Sequence, residues 1–169
     1  MSNYGWIGTF KDYVNEDKEA LVNSLCLQIY NQTLIEAKVN PSEESTLLQI
    51  EAWFDCIRYL NEEIPNMLHL PGFLIFEYEI VRSGGRRPDV LLFLPGEVLV
   101  LEFKSYPNVD EAEFNQVSLY VRVLQQYHSA IKKRSLKVRG GLVVTKGNTN
   151  DALMNVHKYQ IYKIGSGGL

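Results

Sequence analysis

Apolar residues recur at helical period in the first third of the chain and gather into nearly unbroken runs after residue 70. From about Asn15 to Ala37, Leu21, Leu25, Ile29 and Leu34 fall three to five positions apart, which predicts a helix. Asn40-Pro41-Ser42 breaks the chain. A second helix is predicted over Ser45 to Ile64, where Leu47, Ile50, Trp53, Phe54, Ile57 and Leu60 keep the period and Pro65 follows as a stop. The texture then changes. Phe73 to Val81 reads as a strand closed by a turn at Arg82-Ser83-Gly84-Gly85. Arg87 to Leu94 and Val98 to Lys104 are two more strands joined at Pro95-Gly96-Glu97, and both are too apolar to be half-exposed, so they belong in the middle of a sheet.

A third helix is predicted from Asp110 to about His128. Asp110 and Glu113 form a variant capping box, and Val109 is placed to staple onto Phe114. Gly140 to Thr145 is a further strand, and Tyr159 to Ile164 a weaker last one. The order α-α-β-β-β-α-β predicts an α/β protein with a mixed sheet of four to five strands flanked by helices.

The 169 residues suit one domain, or one domain with a short extension. With 46% hydrophobic residues the chain can offset its ordering entropy, which excludes a mainly disordered or low-complexity protein. No apolar run approaches the ~20 residues needed to cross a bilayer, and the start lacks the pattern of a signal peptide. Cys26 and Cys56 sit 30 positions apart without a partner motif, so reduced thiols and a cytoplasmic location are expected. His69, His128 and His157 lack the spacing of a zinc site. The aromatic stripe Tyr4, Trp6, Phe10 and Tyr13 is expected to cover the core or to dock a partner.

Net charge is −3, which excludes coating of nucleic acid by bulk attraction. The charge is unevenly placed, with 4 Lys and Arg against 11 Asp and Glu through residue 70, and 13 against 9 beyond it. Lys132, Lys133, Arg134, Lys137 and Arg139 form a basic stretch that reads either as a solvated helix end or as a phosphate-tracking patch.

The candidate chemistry lies where charges interrupt the apolar strands. Strand alternation puts Glu102 and Lys104 on one face and Leu101 and Phe103 on the other. The Pro95-Gly96 turn makes the two strands neighbours and brings residues near 90 beside residues near 101, so Asp89 should lie a few ångströms from Glu102. Two carboxylates so placed resist joint ionisation unless a cation joins them. Oxygen ligands favour Mg²⁺ or Mn²⁺.

Arg87-Pro88-Asp89 followed by Glu102-Phe103-Lys104 resembles the PD-(D/E)XK nuclease pattern, and Gln116 with Tyr120 resembles the Q-x-x-x-Y element of its RecB-like branch. More widely, Gln49, Trp53, Glu77-Tyr78-Glu79, Arg86 to Val90, Leu101 to Lys104, Gln116 and His128 are similar to the N-terminal nuclease-like domain of Schlafen-like superfamily 1 helicases, over about residues 42–146. The resemblance implies a restriction-endonuclease-like core over residues 41–164, an N-terminal helical extension over 1–40, and a tail at 165–169. It implies a nuclease dependent on Mg²⁺ or Mn²⁺ and acting on DNA, with RNA the alternative to DNA as substrate. Asp89, Glu102 and the backbone carbonyl of Phe103 would hold the metal, with Glu51 or Glu77 as a further acidic ligand, and Lys104 would be the catalytic lysine. Gln116 and Tyr120 would position substrate or the lysine, and Arg86 and Arg87 would touch phosphate, alongside Lys132, Lys133 and Arg134 if the basic patch serves the same end.

The helicase motor that usually follows is not written here, since no G-x-x-x-x-G-K-[ST] occurs. The expectation is a free-standing nuclease, or one region of a longer protein working with a helicase in cis or in trans, to which Gly165 to Gly168 would lead. Two other readings predict different behaviour. A non-catalytic nucleic-acid-binding module would show salt-sensitive binding without turnover. A protein-interaction domain would use the acidic first 70 residues for docking.

Overall fold

A computed structural model describes residues 4–37, 43–81, 85–106, 108–146, 152–156 and 159–165, with 29–37, 43–45 and 152–156 described by backbone alone. The predicted break at Asn40 to Ser42, most of the turn at Arg82 to Gly85, and the tail after Gly165 lie outside these residues. The chain is an α/β protein built on one mixed sheet. Its strands are β1 (Trp6–Thr9), β2 (Phe73–Phe76), β3 (Val90–Leu94), β4 (Glu97–Lys104), β5 (Lys137–Val144), β6 (Ala152–Val156) and β7 (Tyr159–Ile164), in spatial order β1-β2-β3-β4-β5-β7-β6. The helices are α1 (Phe10–Asn15), α2 (Lys18–Ala37), α3 (Glu43–Glu63), α4 (Glu111–Tyr127) and α5 (Ser129–Lys133), with a 3₁₀ turn at Ile64–Met67.

The described residues form seven strands where four to five are expected. β1 escapes sequence reading because four residues, one of them Gly8, carry almost no alternation, yet it pairs antiparallel with β2 from Trp6↔Phe76 to Thr9↔Phe73. β6 pairs antiparallel with β7, which in turn lies parallel to β5. β2 ends at Phe76 rather than Val81, because Glu77 takes a left-handed backbone (φ 53°) that leaves the strand path. β3 starts at Val90 rather than Arg87, where Pro88 has no N–H to give to a ladder. The predicted first helix is α2, which starts at Lys18 rather than Asn15, and a short α1 that the periodicity did not predict precedes it. α1 begins at a complete Thr9–Asp12 capping box.

The central hairpin has the predicted register. Pro95-Gly96 turns the chain, with Gly96 at φ 82°, and Val90↔Leu101 through Leu94↔Glu97 pair antiparallel. β4 and β5 then run parallel, from Glu97↔Lys137 to Lys104↔Val144, with α4 as the crossover. α4 starts at the Asp110–Glu113 capping box read from the sequence.

Alternation along the central strands divides the core in two. Leu74, Phe76, Val90, Leu92, Leu101, Phe103 and Val143 pack with Trp53, Ile57 and Leu60 of α3 and with Phe10, Tyr13, Leu21 and Leu25. Ile75, Leu91, Val98, Val100 and Leu142 face the other way, against Phe114, Val117, Tyr120, Val121 and Leu124 of α4. Gly140 lets α4 lie close on β5, since a Cβ there would stand 2.6 Å from a methyl of Val117 and 2.7 Å from Ile161. The N-terminal segment shares this packing rather than standing apart. β1 belongs to the sheet, and Trp6 sets its ring edgewise on Tyr13 and Phe76, so Trp6, Phe10 and Tyr13 cover the core. No helix among the described residues is long and apolar enough to cross a membrane.

Candidate active site at one end of the central strands

Glu102 and Lys104 follow Val98 and Val100 on the α4 face of β4, at the strand's C-terminal end. Both are held there. Lys104 Nζ lies 3.1 Å from Glu102 Oε1, and Gln116 Nε2 of α4 donates to the same oxygen at 3.0 Å. Gln116 also donates to the Tyr120 hydroxyl at 2.9 Å, and that hydroxyl donates to the Arg87 carbonyl at 3.3 Å. The i, i+4 spacing on α4 therefore ties Glu102 to the loop before β3. The other carboxylate oxygen of Glu102, Oε2, is buried and has no hydrogen-bond partner among the described residues.

Asp89 stands one position before Val90 and so opposite Glu102 by extension of the hairpin register. Its Oδ2 accepts the backbone N–H of Phe103 at 2.7 Å, which fixes the carboxylate over β4. Phe103 thus already serves the site through its amide.

Of the two further acids considered, the structure brings in Glu77 and leaves Glu51 out. Glu51 is exposed on α3. Regular alternation would turn Glu77 to the α4 side like Ile75, but its left-handed backbone lets it meet α3, where Trp53 Nε1 donates to Oε1 at 2.8 Å. Burial pushes the Glu77 carboxyl up from its ordinary value, and the Asp89 charge adds to the shift. Burial likewise raises Asp89, against the pull of the Phe103 amide and Lys104. Glu102 is raised by burial first and then by Asp89. Burial works against the charge of Lys104, but Glu102 and Asp89 outweigh it and hold the ammonium above its usual range. Tyr120 is pushed up to about 12 by burial and by Glu102.

These shifts set a pH dependence of stability. All three carboxyls bind protons more tightly folded than unfolded. The stability their neutral forms provide is complete below the unfolded value near 4 and is lost as pH rises through the raised folded values. In EDTA, the melting temperature is expected to fall from pH 5 to pH 8. Glu77→Gln, which keeps an acceptor for Trp53, should fall less steeply. A parallel fall in both proteins would show that Glu77 does not share the titration.

Two groups of basic residues sit elsewhere than expected. Lys132 and Lys133 end α5 and Arg134 follows it, just before β5, whose first residue Lys137 donates to Gly96 O at the hairpin tip. That is the opposite end of the sheet from Lys104, seven residues or about 20 Å away along β4. The α4 crossover carries the chain back down the sheet before the patch is reached. Arg87 is engaged with Glu79 at 2.9 Å and is largely buried, so it braces the loop rather than offering itself to phosphate. Arg86, its neighbour, is exposed.

Sequence reading missed three residues at this end. Trp53 was placed on a helix without its role as donor to Glu77. Cys56, buried on the same helix, has its thiol pushed well up by burial and then by Asp89, Glu77 and Glu102. Lys146, two residues after β5, pairs with the buried Asp55 at 3.0 Å. Only the helical phase of α3, with Trp53 and Cys56 three apart, carried a signal for any of them. His128 caps the junction of α4 and α5 and lies beside Tyr78, away from the carboxylates.

The donor set is all oxygen, with one orphaned buried oxygen and three carboxyls that resist shedding their protons, which fits a hard divalent cation. Among the described residues no three His, Cys, Asp or Glu side chains by themselves form a metal-holding group. Comparison of the chain with protein-family models, with curated proteins and with solved structures yields no match.

Proposed function

We propose that this chain is a divalent-metal-dependent phosphodiesterase acting on DNA, on a restriction-endonuclease-like core. The observation that carries the reading is Glu102: a buried carboxylate gripped through one oxygen by Lys104 and Gln116, with its other oxygen unpartnered beside Asp89. A purely structural Glu–Lys pair needs neither the orphan oxygen nor two further acids close by, Glu77 buried and Asp89 half-buried.

Asp89 and Glu102 would hold Mg²⁺ or Mn²⁺, with the Phe103 carbonyl as a further oxygen donor and Glu77, held by Trp53, as a nearby acid outside the ligand set. With few protein ligands the ion would keep water and leave room for substrate. When bound, the cation supplies Lewis acidity toward the phosphoryl group and acidifies water. The chain's own residues do the rest. Lys104, kept protonated by its two acidic neighbours, presents positive charge where charge grows on phosphorus oxygens. Gln116 fixes the Glu102 carboxylate, and Tyr120 ties that arrangement to the loop carrying Asp89.

The test is calorimetric titration with Mn²⁺ alongside cleavage of plasmid and single-stranded DNA in Mg²⁺. Wild type is expected to bind Mn²⁺ and cut, and Asp89→Asn to do neither while melting at the same temperature or higher in EDTA. That variant keeps an oxygen for the Phe103 amide and removes like charge. Salt-sensitive DNA binding without Mn²⁺ heat or turnover would instead make the chain a non-catalytic nucleic-acid-binding module.

A further inference from the structure

A groove of about 800 Å³ opens on α4 and reaches the site through Gln116 and Tyr120, with Arg86, Arg122 and Asn115 also in its lining. Its two guanidiniums come from different elements, Arg86 from the loop before β3 and Arg122 from α4, so tertiary packing brings them to one cavity. Arg86 is close enough to Tyr120 for its charge to act on the hydroxyl. On α4, Glu111, Asn115, Ser118 and Arg122 fall at i, i+4, i+7 and i+11, a polar face that carries the groove along the helix. Gln116 and Tyr120 belong to the groove and to the site at once, since they hold Glu102 and the Arg87 carbonyl.

Resting on the phosphodiesterase reading, we infer that the groove binds a single polynucleotide strand and leads it to the carboxylates, with Arg86 and Arg122 each meeting one phosphate. A concave path against a recessed acid asks the ligand to bend within a few nucleotides, which a duplex with a persistence length of about 150 base pairs resists. Two arginines in a chain of net charge −3 also suit a short contact rather than the broad basic face a duplex calls for. Glu111, the carboxylate in the lining, repels phosphate and limits the footprint.

The experiment is fluorescence anisotropy in EDTA, where metal-dependent cleavage is stopped, with a labelled 12-nucleotide oligo(dT) and a 12-base-pair duplex. The strand is expected to bind at least tenfold more tightly than the duplex. Each neutralised phosphate on a single strand contributes about −0.7 to the slope of log affinity against log salt. Arg122→Gln should therefore weaken binding several-fold at low salt and make the slope shallower by about 0.7, and Arg86→Gln should do the same. The pair Lys132→Gln and Lys133→Gln, at the far end of the sheet, should leave affinity and slope unchanged. No binding by wild type, equal binding of duplex, an unchanged slope in Arg122→Gln, or equal weakening by the lysine variants overturns the proposal. Arg122-dependent binding without cleavage in Mg²⁺ keeps the groove and removes the phosphodiesterase, whereas cleavage with a KM indifferent to Arg122 does the reverse.

Discussion

Lys104→Ala is expected to lower metal-dependent cleavage of DNA by about 10²–10³-fold, the loss that follows removal of one preorganised charge-stabilising group. The lysine is not placed to act as a base. Glu102 at 3.1 Å and the nearby Asp89 hold its ammonium above the ordinary range, so it stays charged throughout a neutral to mildly alkaline assay. The loss in Lys104→Ala should accordingly be the same at pH 7 and at pH 9. Gln116 still grips Glu102 in the variant, so Mn²⁺ binding and the circular dichroism spectrum should persist. Turnover equal to wild type, or a defect that vanishes at high pH, would move the positive charge elsewhere.

Leu101→Asp and Val143→Asp are each expected to abolish folding. Leu101 is 1% exposed and Val143 fully buried, and both point to the face covered by α3 and the N-terminal helices. The described residues packed around them on that face are apolar, so an introduced carboxylate meets no cation among them. An unpaired buried charge costs several kcal/mol, a large part of the ~5–15 kcal/mol that holds a domain together. One residue further along the same strand, Glu102 is tolerated because it faces the other way and meets Lys104 and Gln116. Leu48→Asp, at a position on α3 that is 62% exposed, is the matched control and should melt like wild type. A folded Leu101→Asp protein would mean that β4 is not in the centre of the sheet.

The site was legible where chemistry followed from local periodicity. Asp89, Glu102 and Lys104 could be placed together because a two-residue turn at Pro95-Gly96 fixes the register, and register fixes which side chains share a face. Gln116 and Tyr120 came from the resemblance to the Q-x-x-x-Y element, and the helix begun at Asp110 and Glu113 added only that the two share a face. Glu77 was harder. It was one of two candidates, and what selects it over Glu51 is a left-handed backbone and a bond from Trp53, 24 residues earlier in the chain. Arg122 gave no signal of its own, since a lone arginine on a helix reads as a solvated residue until Arg86 is seen on the same cavity.

What the sequence by itself determined is the order of helices and central strands, the split of each strand into two faces, and the trio of charges at one strand end. These depend on contacts a few residues apart, or across one tight turn, where residue spacing and side-chain direction are the same thing. Only the tertiary structure decided that β1 and β6 extend the described sheet to seven strands, that Lys132 to Arg134 lie at the wrong end for the site, and that Arg87 is spent on Glu79. Those outcomes depend on which strand neighbours which and on where a crossover returns the chain. Such pairings join residues far apart in sequence, and no local period encodes them.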